Sequence, residues 1–441
     1  MSSPLPSLAP HALLVFLLQL SLLLLLALAL GRLAVRLGLP ALVGELLTGV
    51  LLGPSLLGAL APGAVAWLLP ADANQLHLVD AVGQVGVLLL VGVTGAQVDV
   101  ALLRRRGSTG VRVSLAGLLL PLALGVAAGF VVPGALIPGG TQRWVFALFL
   151  GVAMCVTAIP VIAKTLADMG LLHRDIGQLT LAAGSVDDAV GWLLLSVVAA
   201  AATTGVHAGS VALSLVYLVG FLAAALLVGR PVVRRALRAA GRAGDGGPRV
   251  TTAVVVILLG AAATHAMGME ALLGAFVAGI LVGQARGEPG DATRPLWTDL
   301  APLRTVTLSV LAPIFLATAG LRMDLTALAD WRVLVAAVAL LAIAILGKFA
   351  GAYLGARGSR LSHWEAIALG AGMNARGVVE VVVATTGLRL GVLNVATYTV
   401  IVLIAVVTSV MGPPILRRAM ARVDVTPAEN ERGRALASVG N

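Results

Sequence analysis

The sequence predicts an all-α polytopic membrane protein of about thirteen transmembrane helices, arranged as inverted repeats with two broken, crossing helices. Three observations lead there: the composition, the distribution of arginine, and the few charges left inside apolar stretches. Of 441 residues, 59% are hydrophobic and 11% are charged. With the 52 glycines added, the apolar share is about 70%, against about 45–50% in soluble domains. This excludes a soluble enzyme, a disordered chain and a nucleic-acid-binding domain, so no nucleic-acid partner is expected. One cysteine, Cys155, excludes a disulfide framework and a cysteine metal site. No cofactor is expected.

About twenty apolar residues cross a bilayer as a helix. The stretches that qualify are 12–31, 39–59, 78–96, 111–132, 144–167, 176–203, 208–229, 250–268, 270–285, 303–321, 332–354, 364–388 and 391–416. The second, ninth and twelfth are weak by hydropathy alone. The first reads as a retained span, because its apolar run is too long for a signal peptide and no Lys or Arg precedes it.

Arginine distribution tests the count. If loops after odd-numbered spans are cytoplasmic, 24 of the 30 Lys and Arg fall on that side and four on the other. Such a split follows the positive-inside rule. It places the N-terminus outside and the C-terminus in the cytoplasm, in a cell inner (plasma) membrane. The net charge of +10 is therefore an orientation signal.

Charges deep in spans are costly and usually functional. Asp187 and Asp188 lie in the middle of the sixth span, and two adjacent carboxylates there cannot both stay ionised without a cation: one must take a proton, bind a metal ion or pair with a base. Consecutive helical residues diverge by about 100°, so the two can face different partners. Lys348, in the eleventh span, is one of only two lysines in an arginine-rich chain. A buried lysine can release its proton, whereas arginine effectively cannot.

Two spans also carry backbone-breaking residues. The fifth holds Thr157 and Pro160. The twelfth holds Asn374, Arg376 and Glu380 among glycines. Irregular backbone at membrane depth is tolerated only where it lines a cavity or is buried in protein. Spans 4–6 and 11–13 become counterparts under a shift of seven, and an odd shift inverts their orientation. That is the pattern of a secondary transporter with broken helices at the midplane.

These residues resemble the monovalent cation:proton antiporter family, in the branch that contains bacterial sodium/proton antiporters, Kef-type potassium efflux proteins and plant cation/proton exchangers. The resemblance covers about 12–418. It rests on Gly44-Glu45, Gly53-Pro54-Ser55, Thr157-Ala158-Ile159-Pro160, Ser185-Val186-Asp187-Asp188 and Met373-Asn374-Ala375-Arg376-Gly377-Val378-Val379-Glu380. It implies a transporter and not an enzyme, working as a homodimer in the bilayer. By similarity Asp188 binds the cation or proton, Asp187 pairs with Lys348, and Thr157 and Ser185 lie near the ion. Pro160, Asn374, Arg376 and Glu380 support the broken helices. The expected domains are scaffold at 1–103, core at 104–206, linker and scaffold at 207–331, core at 332–418 and a tail at 419–441. The cation, Na⁺, K⁺ or Li⁺, stays open.

The alternative is a Kef-type potassium efflux protein or gated potassium channel. Paired aspartates disfavour the first, and the sequence contains no evident selectivity filter for the second. An intramembrane hydrolase would need its two acids on separate helices. Glu45 is expected to be structural or to line a pathway, and Glu270, beside a turn, to be solvated.

Overall fold

The computed structural model describes residues 8–70, 73–98, 100–204, 208–242, 246–285 and 300–431. Among these residues the regular structure is helical throughout. The main helices are α1 (Pro10–Arg36), α2 (Ala41–Leu52), α3 (Ala73–Ala96), α4 (Val100–Val131), α5 (Arg143–Cys155), α6 (Ile159–Asp168), α7 (Asp175–Thr204), α8 (Ala208–Ala224) and α9 (Arg230–Gly241). They continue with α10 (Gly246–Ala266), α11 (Ala271–Gln284), α12 (Ala301–Val306), α13 (Ala312–Leu321), α14 (Trp331–Gly358), α15 (His363–Met373), α16 (Val378–Arg389) and α17 (Val395–Met420).

Among the described residues nine helices are long and apolar enough to cross a membrane, and the bent pair α15–α16 adds a tenth. The shorter apolar helices α2, α5 and α11 occupy the remaining expected stretches, so every one of the thirteen finds a helix. The physical reason is the solvent: hydrocarbon offers no hydrogen bonds, so a spanning backbone must satisfy itself, and a single apolar stretch of about twenty residues does so as a helix.

The chain divides into two compact units, Met1–Leu90 with Ala301–Thr326, and Val91–Leu300 with Ala327–Asn441. In the first, Gly44 faces the Leu30 carbonyl, Gly49 the Ala317 carbonyl and Gly320 the Leu46 carbonyl, leaving no room for a Cβ. Such contacts replace the hydrophobic drive that lipid cannot supply between helices. Ser55 donates to the Met323 carbonyl (3.0 Å) and accepts from Leu325 N–H (3.0 Å). Pro313 cannot donate to the carbonyl of Ser309, and the helix contains a π turn at Thr307–Leu311 immediately before it.

In the second unit, α14 carries Gly347, Gly351 and Gly355 at every fourth position, packed onto Pro121, Ala116 and Val113 of α4. This stripe presses α14 against α4 and sets the depth of Lys348. Helix α4 kinks at Gly107, where φ is 47°; a side chain there would be strained. Helix starts follow local chemistry. Asp330 caps α14, Asn394 caps α17, and Ser362 with Glu365 forms a capping box on α15.

Glu270 corrects the sequence expectation. It is only 7% exposed and pairs with Arg389 at 3.1 Å. A partner more than a hundred residues away compensates its burial, and hydropathy around Glu270 could not reveal that.

After α17 the chain turns back as a strap. Arg174 donates to the carbonyls of Val423 (2.9 Å) and Asp424 (3.0 Å) and pairs with Glu429 at 3.3 Å. Glu429 in turn accepts from the N–H of Asp175, the first residue of α7 (2.6 Å), and from that of Thr426 (2.8 Å). Arg422 lies over the Trp364 ring on α15. The strap thus holds the starts of two helices that carry the site.

Candidate ion-binding site

All the sequence-selected site residues lie in the second unit. Asp187 and Asp188 occur on α7, about 18 Å along the axis from its start at 1.5 Å per residue. Both are fully buried. The helix twist sends them to different surroundings.

Asp187 is saturated. Its Oδ2 accepts from Lys348 Nζ (2.5 Å) and Thr157 Oγ1 (2.8 Å), and its Oδ1 from Ser114 Oγ (2.5 Å). Lys348 is also fully buried and donates to the Cys155 carbonyl (2.5 Å). Ser114 on α4 is the participant that sequence reading missed. Asp188 contrasts sharply with its neighbour, because neither of its carboxylate oxygens has a hydrogen-bond partner. The start of α6, at Ile159, lies near it. A helix N-terminus carries partial positive charge.

The two breaks flank these acids. Val156–Ala158 runs non-helically between α5 and α6, and Ala375–Gly377 between α15 and α16, which are bent by 43°. The breaks touch: Ala158 N–H donates to the Ala375 carbonyl (3.4 Å). Pro160 lies in the first turn of α6 and not in the gap, where a missing N–H costs nothing.

Helix α5 ends with carbonyls that its own helix cannot satisfy. The second half of the chain satisfies them. Arg376, fully buried, donates to the carbonyls of Ala153 (3.3 Å), Met154 (2.6 Å) and Ala344 (3.0 Å) and pairs with Glu380 (3.0 Å). Lys348 takes Cys155. Two cations therefore oppose the negative end of α5, while Glu380 lies in the first turn of α16, near a positive end. Ser409 donates to the Arg376 carbonyl.

Not every selected residue joins this network. Ser185 donates to Leu181 of its own helix (2.9 Å). Asn374 is buried with neither amide atom partnered. Among the described residues no group of three or more His, Cys, Asp and Glu has the geometry of a metal site.

Comparison with known proteins gives this geometry a family. The model of the transmembrane sodium/hydrogen exchanger matches residues 21–422. The chain belongs to this family. It is 31% identical over 395 residues to the Na⁺/H⁺ antiporter NhaS4 of Synechocystis sp., covering 89% of this chain and 93% of that one. It is 30% identical to cation/H⁺ antiporter 19 of Arabidopsis thaliana over 86% of this chain, but spans only 46% of that relative. It is 28% identical to the Na⁺/H⁺-K⁺ antiporter GerN of Bacillus cereus, covering 91% and 95% of the two chains. The fold is that of the sodium proton antiporter MjNhaP1 of Methanocaldococcus jannaschii, with TM-score 0.67 at 18% identity over 94% of this chain and all of that one. Membership in this family makes the protein a multi-pass membrane protein of the exchanger type. The relatives named here are transporters, and none is named as a Kef-type protein or a channel.

Proposed function

We propose that the chain is a secondary active antiporter that exchanges a monovalent cation for protons by alternating access, with Asp188 as the shared site. One observation carries this: of two adjacent buried acids, Asp187 is fully partnered and Asp188 has no hydrogen-bond partner. An isolated buried carboxylate is unfavourable in a low-dielectric interior. A proton or a cation relieves that cost, and binding of one opposes binding of the other. Crossing the barrier empty is then penalised, so competition at one carboxylate yields exchange without a further gate.

Each residue then has a task. Thr157, Ser114 and Lys348 occupy the oxygens of Asp187, and Lys348 balances its charge. Arg376 and Glu380 hold the broken helices, with Asn374 and Pro160 at the two breaks. Ser185 is the supporting hydroxyl one turn before Asp188. If the cation also recruits Asp187, Lys348 loses its partner and can release a second proton, making exchange electrogenic. The relatives' names support Na⁺ or K⁺ as the cation, with Li⁺ as a further ion to test. In this reading 104–206 and 332–418 form the moving core, 1–103 and 207–331 the scaffold and linker of a homodimer, and 419–441 a cytoplasmic tail. In this reading the protein lies in the plasma membrane with its N-terminus outside.

The test is reconstitution into liposomes with an imposed proton gradient, followed by addition of Na⁺, K⁺ or Li⁺. Wild type should collapse the gradient with its preferred ion, and Asp188→Asn should not. Cation flux without proton movement would replace the antiporter with the channel reading. An Asp188→Asn protein as active as wild type would move the site elsewhere.

A further inference from the structure

In the first unit, opposite charges line one cavity without meeting. The cavity holds about 450 Å³ and lies between α1, α2 and the π turn that precedes Pro313. Arg32, Arg36 and Glu45 line it together with Ser309 and an apolar wall that includes Leu24 and Leu28. Among the described residues none of these three charged side chains forms an ion pair or hydrogen bond. Glu45 is half-buried, while Arg32 and Arg36 are exposed.

The order of groups along α1 matters. Arg36 is its last residue and Arg32 lies one turn inside it, about 6 Å away along the axis. Leu28 and Leu24 follow at one-turn intervals toward the helix centre. The arginines belong to the arginine-rich side of the chain. Charge at one end and hydrocarbon below match the profile of a membrane lipid. The charge type narrows the choice. An anionic headgroup would satisfy the guanidinium groups and leave Glu45 facing a like charge. A choline headgroup has a cation but no N–H to donate to a carboxylate.

We propose that this cavity binds a phosphoethanolamine lipid, its phosphate held by Arg32 and Arg36, its ammonium by Glu45, and an acyl chain along Leu28 and Leu24. Guanidinium–phosphate and ammonium–carboxylate contacts are both charge-assisted hydrogen bonds, stronger than neutral ones. The π turn supplies Leu308 and Ser309 to the lining.

The experiment uses the full chain, purified and delipidated in detergent. Dioleoyl-phosphatidylethanolamine, -choline and -glycerol are titrated, with binding read by native mass spectrometry and melting temperature. The ethanolamine lipid should bind about tenfold tighter than either other lipid, a difference of about 1.4 kcal/mol. Glu45→Gln should erase its advantage over the glycerol lipid. Arg32→Gln with Arg36→Gln should weaken both alike. If those variants fail to fold, mono- and dimethylated ethanolamine lipids on wild type decide the matter, because binding should fall with each methyl group. Equal binding of ethanolamine and choline lipids overturns the proposal. So does preference for the glycerol lipid that ignores Glu45→Gln. A melting temperature that rises with protein concentration and not with lipid also overturns it, and assigns the surface to a second copy of the chain.

Discussion

Asp187 and Asp188 differ by one position and by their hydrogen-bond partners. The first accepts three side-chain hydrogen bonds and the second none. Removing one member of a buried ion pair leaves the other uncompensated, at about 3–5 kcal/mol. Lys348→Met should therefore lower stability by that order, and Lys348→Met with Asp187→Leu should recover most of it. Thermal melts in detergent measure both. Ser114→Ala removes a hydrogen bond to a charged group and should cost about 1.5–3 kcal/mol in the same assay. The acids, Lys348 and Arg376 were legible in the sequence because hydropathy should have purged them from apolar spans. Ser114 was not, since a serine in a span ordinarily bonds its own helix, as Ser185 does here. Its partner lies 73 positions away, and no local pattern encodes that.

At the scale of elements, glycine decides how helices approach. Gly351 has the Ala116 carbonyl where a Cβ would stand. Gly351→Val should separate α14 from α4 and cost about 1–3 kcal/mol or more by overpacking, with Lys348 displaced and exchange reduced in liposomes. The strap after α17 gives a pH prediction. Burial tends to raise the Glu429 carboxyl, but the N–H groups of Thr426 and Asp175 and the Arg174 guanidinium outweigh it and hold it below its ordinary value. A group depressed in the folded state adds stability above its unfolded pKa and loses it as pH falls through the folded one. The protection of the amides at the start of α7, taken relative to the intrinsic exchange rate at each pH, should therefore be constant around neutrality and fall only in acid, as the Glu429 carboxyl takes up its proton. Protection unchanged down to pH 3 would contradict this. The helix breaks were legible from Gly and Pro. The strap was not, because its contacts join Arg174 and Asp175 to residues about 250 positions later, and the sequence showed only a tail.

For the whole molecule, hydropathy anticipated the helices: among the described residues each of the thirteen expected stretches holds one, nine or ten of them long and apolar enough to cross a membrane. Orientation can be tested directly. Cys155 is fully buried and should be silent to impermeant maleimides. Gly139 and Gly358 are exposed with open space for a side chain. In intact cells Gly139→Cys should label from outside, and Gly358→Cys only after permeabilisation. The reverse pattern would invert the topology.

The hydrogen bond from Ala158 to Ala375 has a mechanical meaning. The two interruptions are stitched to each other, and the arginine and lysine of one half fasten the severed end of the other. The two points where helices come apart are thereby tied to each other and to the cations of the second half.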